Sequence, residues 1–228
     1  AALIGALAEI ARRRGVSSLH VTFCAAEEIA DFRSLGWLIR QGIQFHWQNR
    51  GYASFDDFLA SLNHAKRKAI RKERREVAVQ GIAFEVLSGA EIKAAHWDAF
   101  FDFYIATGER KWGSPYLTRD FFHRLGAALA PRVALVMAAK DGHWVAGALN
   151  LIGADALYGR YWGCRGEFKH LHFETSYYQA IEFAIARGLE RVEAGAQGEH
   201  KLQRGYLPYP TWSAHWIRDA GFRKAVEQ

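Results

Sequence analysis

Apolar residues recur along the chain in two periods, and the alternation between them predicts the order of elements. Leu3, Ile4, Leu7 and Ile10 fall at helical spacing over residues 2–14, and Gly15 stops that helix. Residues 18–23 alternate as a strand and 27–35 read as a short helix. Residues 37–47 are β-rich, with Ile39, Ile43, Phe45 and Trp47 on one parity. Asn49-Arg50-Gly51 turns the chain. Ser54, followed by Asp56 and Asp57, caps a helix whose buried stripe is Phe55, Phe58, Leu59, Leu62 and Ile70. A strand over 82–87 precedes an aromatic-rich helix over 90–107, a loop over 108–115 and a helix capped by Thr118 that runs to residue 129. Strands over 132–140, 143–152 and 157–164 form a meander, with Asp141-Gly142 as a tight hairpin turn. A polar loop over 165–173, a helix over 174–187 and a short strand over 191–194 follow. A glycine-framed loop over 195–206 and a strand over 211–217 complete the order. This succession predicts an α/β fold with a mixed, largely antiparallel sheet flanked by helices.

Half of the 228 residues are hydrophobic and 14% are aromatic, ample for a core. The net charge of +6 favours an anionic partner mildly, but its distribution says more. Between Lys66 and Arg75 seven of ten residues are Lys or Arg, and Lys68, Arg71, Lys72 and Arg75 share one helical face. That face is either an anion-binding surface, for a phosphate-rich ligand or RNA, or a solvated helix side. Cys24 and Cys164 lie far apart without a CxxC pair, which argues against a disulfide framework or a zinc knuckle and makes a reducing cytoplasm the default. No apolar run reaches membrane-spanning length. The chain starts in the middle of a helical pattern and reads as the later part of a longer one. Ile10-Ala-Arg-Arg-Arg-Gly-Val echoes Ile185-Ala-Arg-Gly-Leu, each a helix end passing into a strand. Residues 1–52 are therefore expected to be the back half of a first copy, 53–80 a basic linking helix and 81–228 a second, whole copy.

The stretch richest in chemistry is Gly195-Ala-Gln-Gly-Glu-His-Lys-Leu-Gln-Arg-Gly-Tyr. Glu199 and His200 can exchange protons near neutral pH, Lys201 and Arg204 can hold an anion, and Gly195, Gly198 and Gly205 allow sharp turns or close approach to a ligand. The alternative is a solvated polar turn. His170, His172 and Glu174 have no recognised zinc spacing, so no metal is expected.

The element order resembles the GNAT (Gcn5-related N-acetyltransferase) fold. Tyr161-Trp-Gly-Cys, His172-Phe-Glu with Tyr177-Tyr-Gln, Glu193-Ala-Gly-Ala-Gln-Gly-Glu-His-Lys, Arg204-Gly-Tyr-Leu-Pro and Thr211-Trp-Ser-Ala-His-Trp together resemble the bacterial peptidoglycan biosynthesis/recognition family. That family is related to the Fem-type aminoacyltransferases, which carry two GNAT-like halves. The resemblance implies transfer of an acyl group from acyl-CoA or aminoacyl-tRNA to the amine of a small molecule or cell-wall precursor. It makes Glu199 or His200 the base, with His172 or Glu174 as the other choice. Tyr206 or Tyr177 would return a proton, and Lys201, Arg204, Gly198, Tyr177 and Trp162 would bind substrate. The turn at 165–173 lacks the glycine run with which CoA-using GNAT enzymes hold pyrophosphate, whereas a tRNA donor would suit the basic helix. A second reading is a non-catalytic GNAT-shaped module that binds an anionic ligand or polymer.

Overall fold

A computed structural model describes residues 1–110 and 115–227. The chain forms two compact units, one of residues 1–44 with 208–228 and one of residues 45–207.

In the first unit, helix α1 (Ala2–Arg14) ends on Gly15 at φ 68°, a left-handed cap that glycine adopts without strain. Strand β1 (Ser18–Cys24) pairs antiparallel with β8 (Leu207–Ile217), from Ser18 opposite Ile217 to Cys24 opposite Trp212. β8 thus starts before residue 211 and takes in Pro208 and Pro210. Its ladder with β1 begins only at Trp212, so the prolines lie where β1 asks for no N–H. α1 and α2 (Ile29–Ser34) bury Ile4, Ala8, Ala11, Ile29 and Phe32 with Trp37, Ala214 and Trp216.

The second unit is built on strands whose order carries the site. The end of β2 (Leu38–Gln48) pairs antiparallel with β7 (Arg191–Glu193), which pairs parallel with β6 (Ala156–Cys164). Beyond β6 come β5 (His143–Ile152), β4 (Val133–Lys140) and β3 (Ile82–Ser88), all antiparallel. Asp141 (φ 51°) and Gly142 (φ 76°) close the β4–β5 hairpin, both left-handed as its twist requires. Alternation along β4 sends Val133, Leu135 and Met137 to one cluster with Phe100, Phe103 and Phe122, from α5 (Ala94–Arg110) and α6 (Arg119–Leu129). Ala134 joins the opposite cluster of Trp47, Phe58, Tyr178, Ile181, Val192 and Tyr206. Burying each such aromatic or branched side chain contributes about 1.5–3 kcal/mol.

Further expectations are corrected. The helix read from Ser54 onward is two, α3 (Phe55–Ser61) and α4 (His64–Ala78). Asn63 breaks it by accepting the Lys66 N–H at 2.9 Å, a second N-cap. The polar loop over 165–173 gives way to helix at Leu171: α7 (Leu171–Phe173), a π turn (Glu174–Tyr178) and α8 (Gln179–Ala186) are continuous. The segment 195–206 contains a 3₁₀ helix, Glu199–Arg204, closed by left-handed Gly205. The loop expected over 108–115 lies partly on residues 111–114, outside the described residues, and α5 continues to Arg110. Among the described residues no helix is long and apolar enough to cross a membrane.

Candidate active site

β6 and β7 run together only from Ala156 opposite Arg191 to Tyr158 opposite Glu193. β7 then stops, while β6 continues to Cys164 with a bulge at Arg160, since Leu149 faces Tyr161 but Asn150 faces Gly159. A bulge bends a strand and re-aims its side chains. A cleft of about 710 Å³ occupies the gap. Arg160, Tyr161 and Trp162 line it from β6, and Ala194, Gln197, Gly198 and His200 from the segment after β7. His172, Ser176 and Tyr177 line it from the helix, and Tyr104, Thr107 and Tyr116 complete the wall.

His200 Nε2 lies 3.0 Å from the Tyr177 hydroxyl, and the His172 ring centroid is 6.1 Å from that of His200. Trp162 packs on His172 at 5.0 Å between centroids. Burial pushes the Tyr177 hydroxyl up to about 12, so the phenol stays protonated. His200 is exposed as a residue, yet its ring packs on Phe173 as well as on His172 and Tyr177. That local loss of water holds the imidazole below its ordinary value, and the charges of Arg204 and Lys201 lower it further. The pair at neutral pH is therefore a neutral imidazole and a neutral phenol, suited to passing a proton either way.

Local structure explains this placement. The π turn widens the helix where Ser176 and Tyr177 face the cleft, a deviation found mostly at functional sites. Among the described residues the buried Ser176 hydroxyl has no hydrogen-bond partner. Gly198 adopts φ 97°, and a Cβ there would lie 2.2 Å from the His200 ring, so only glycine lets the imidazole fold back over the turn.

Of the residues singled out from sequence, Trp162, His172, Tyr177, Gly198 and His200 come together at the cleft. The others do not line it. Glu199 is exposed at the start of the 3₁₀ helix. Glu174 is buried and accepts from Arg74 Nε at 3.1 Å and Nη2 at 2.9 Å, so it neither caps its helix nor joins His170, which faces Glu76 at 3.3 Å. Tyr206 is fully buried beneath Tyr177. Buried Lys201 donates to the carbonyls of Ala194 (2.6 Å) and Gly195 (3.1 Å), and burial lowers its ammonium to about 8. Arg204 lies over the Phe173 ring and donates at 2.6 Å to both Glu73 Oε1 and the His200 carbonyl. Lys68, Arg71, Lys72 and Arg75 are exposed on α4. Sequence reading gave no site role to Arg160, Tyr161 or Ser176, because neither the bulge nor the π turn has a signal in residue types. Tyr116 and Tyr161 join their hydroxyls at 2.5 Å on the same wall.

The start of the helix turns several of its N–H groups back into the chain. The N–H groups of Leu171, Phe173 and Glu174 return to the carbonyls of Phe168 and His170, and Lys169 and His170 are turned to Glu76.

A largely antiparallel sheet in which the parallel pair β6–β7 parts over a helix-lined cleft is a GNAT-like fold. Solved structures agree on the fold. FemX has a TM-score of 0.69 at 13% identity, over 100% of this chain and 78% of that one. L-PGS from Bacillus licheniformis has 0.70 at 10% identity, over 98% and 75%. A tandem GNAT protein from the clavulanic acid biosynthesis pathway has 0.53 at 11% identity, over 92% and 66%. The chain belongs to the FemAB-like family, described as peptidoglycan biosynthesis/recognition, whose model matches residues 1–228. No curated protein matches it in sequence.

Proposed function

We propose that this protein is an N-acyl- or aminoacyltransferase that moves an acyl group onto an amine of a cell-wall precursor. The observation that carries the reading is the Tyr177–His200 pair, with His172 beside it, in the cleft where β6 and β7 part. In this reading the amine nitrogen attacks the acyl carbonyl carbon and a C–N bond forms. His200, neutral at physiological pH, takes the nitrogen's proton. Tyr177 hydrogen-bonds the developing oxyanion or returns a proton to the leaving oxygen as the acyl C–O bond breaks. Lys201 and Arg204 act by holding the 3₁₀ helix and its glycine turn in place.

The proposed donor is an aminoacyl ester, supported by the poor fit of the 165–170 turn to a pyrophosphate. The exposed face of Lys68, Arg71, Lys72 and Arg75 is the proposed surface for its RNA. The two-copy organisation, with residues 81–228 as a whole GNAT-like module, is likewise part of the proposal.

The test is to incubate the protein with an amine-bearing peptidoglycan precursor and a panel of aminoacyl-tRNAs and acyl-CoAs, and to weigh the precursor by mass spectrometry. An added aminoacyl mass that His200→Ala abolishes, with donor binding retained, supports the transferase. Precursor binding without product from any donor supports the non-catalytic module instead.

A further inference from the structure

Glu73 lies inside the basic run of α4, yet it faces the opposite way from Lys68, Arg71, Lys72 and Arg75. Its side chain is only 14% exposed. One carboxylate oxygen accepts from Arg204 Nη2 at 2.6 Å, and the other accepts from the Tyr178 hydroxyl. The same guanidinium donates through Nη1 to the His200 carbonyl at 2.6 Å and lies 3.3 Å over the Phe173 ring. The Arg204 side chain is 7% exposed, and among the described residues its buried Nε has no partner. The carboxylates of Glu174 and Glu182 are bound to Arg74, so the charge of Arg204 is answered by Glu73. A buried cation stripped of its counter-charge is strongly destabilising where it sits.

We infer that Glu73 is a positioning residue for the site: through Arg204 it fixes the 3₁₀ helix that presents His200 to Tyr177, and it sets the charge that His200 experiences. This rests on the transferase reading for its purpose, but neither the geometry nor its test needs turnover. The charged and titratable groups around the imidazole are Tyr177 from the π turn, His172 from α7, Lys201 and Arg204 from its own element, and Glu73 from α4. Arg204 and Lys201 disfavour the imidazolium, and Glu73 opposes them.

Glu73→Gln keeps the size and one oxygen that can accept from Arg204 Nη2, and its N–H₂ can donate to the Tyr178 hydroxyl in place of the bond it now receives, but the charge is removed. The measurement is the pH titration of the His200 ring by nitrogen-edited NMR, with folding checked by circular dichroism. The expected result is a fall in the His200 pKa, on the order of a few tenths of a unit for one removed charge, because Arg204 and Lys201 then act on the imidazole without the opposing charge of Glu73. The sign separates this role from packing alone. A merely structural Glu73 would, when replaced, loosen the turn, hydrate the ring and raise its pKa toward the ordinary value. A rise or no change therefore overturns the inference. Should Glu73→Gln fail to fold, the double variant Glu73→Gln/Arg204→Gln decides: it removes the buried cation together with its counter-charge and is expected to recover folding by circular dichroism, and a double variant as unfolded as the single one overturns the inference. Because no substrate enters these titrations, their failure leaves the transferase reading untouched, and an absence of turnover leaves the positioning role untouched.

Discussion

Replacing Gly198 by alanine tests whether the turn is built around the His200 ring. The new Cβ would stand 2.2 Å from His200 Cε1 and 2.7 Å from Nδ1, so the ring must retreat by more than 1 Å to restore ordinary contact. That movement breaks the 3.0 Å contact with Tyr177, a net loss of about 0.5–1.5 kcal/mol. The backbone, at φ 97°, adds about 1–3 kcal/mol of strain for any residue with a side chain. Gly195 supplies the control. It also has positive φ, at 76°, but a Cβ there meets nothing within 4 Å. Gly195→Ala therefore carries only the backbone cost, while Gly198→Ala carries that cost plus the displaced ring. Urea denaturation compares the stabilities, and NMR titration reads the imidazole. Gly198→Ala is expected to be the less stable by about 1 kcal/mol, with the His200 pKa rising as the ring gains water. Equal stabilities and an unmoved His200 titration would refute the proposed packing of the turn.

Lys201→Met should change how stability depends on pH. The folded ammonium titrates near 8, below its ordinary value, so between the two the unfolded chain holds more protons and stability rises with pH. That rise, bounded by about 3 kcal/mol at 1.36 kcal/mol per unit, should appear between about pH 8 and 10 in wild type and flatten in the variant. A wild-type curve flat across that window would contradict the burial of the charge. Above about pH 10 stability should fall, because the Tyr161 and Tyr177 hydroxyls, each raised to about 12, stay protonated in the fold but ionise in the unfolded chain. Neutralising Lys68, Arg71, Lys72 and Arg75 together to Gln should leave stability within about 1 kcal/mol, since their ion pairs are exposed, such as Arg71–Asp56 at 3.3 Å and Lys72–Glu76 at 3.7 Å. It should reduce RNA binding and flatten its salt dependence, measured by fluorescence anisotropy; unchanged affinity would make this face an ordinary solvated surface.

What the sequence made legible was what local chemistry dictates. Gly15 after an apolar stripe and Asp141-Gly142 between two alternating runs mark left-handed backbone that few residues adopt cheaply, Thr118 before a stripe marks a side-chain cap, and all three stand as read. The hidden features depend on distant partners. Asn63 stops a helix whose stripe continues through Leu62 to Ile70, and a cap is hard to see inside an unbroken pattern. Lys201, Arg204, Glu73 and Glu174 turn inward against the usual preference of charge for water. Glu73 and Arg204 pair across 131 residues and Arg74 and Glu174 across 100, so spacing carried no hint of these pairs. The cleft was foreseen as a glycine-framed loop after a short strand. That β6 would bulge at Arg160 and outrun β7 was not, because strand pairing is set by tertiary packing.

The transferase reading turns on where an acyl donor sits. A stable amide analogue of the aminoacyl-adenosine end of a charged tRNA, titrated into isotope-labelled protein, answers this by chemical-shift mapping. Shifts centred on Trp162, His172, Tyr177 and His200, weakened in Gly198→Ala, are expected. Shifts confined to the outer face of α4 or to residues 1–44, with the His172 and His200 resonances unmoved, would contradict it.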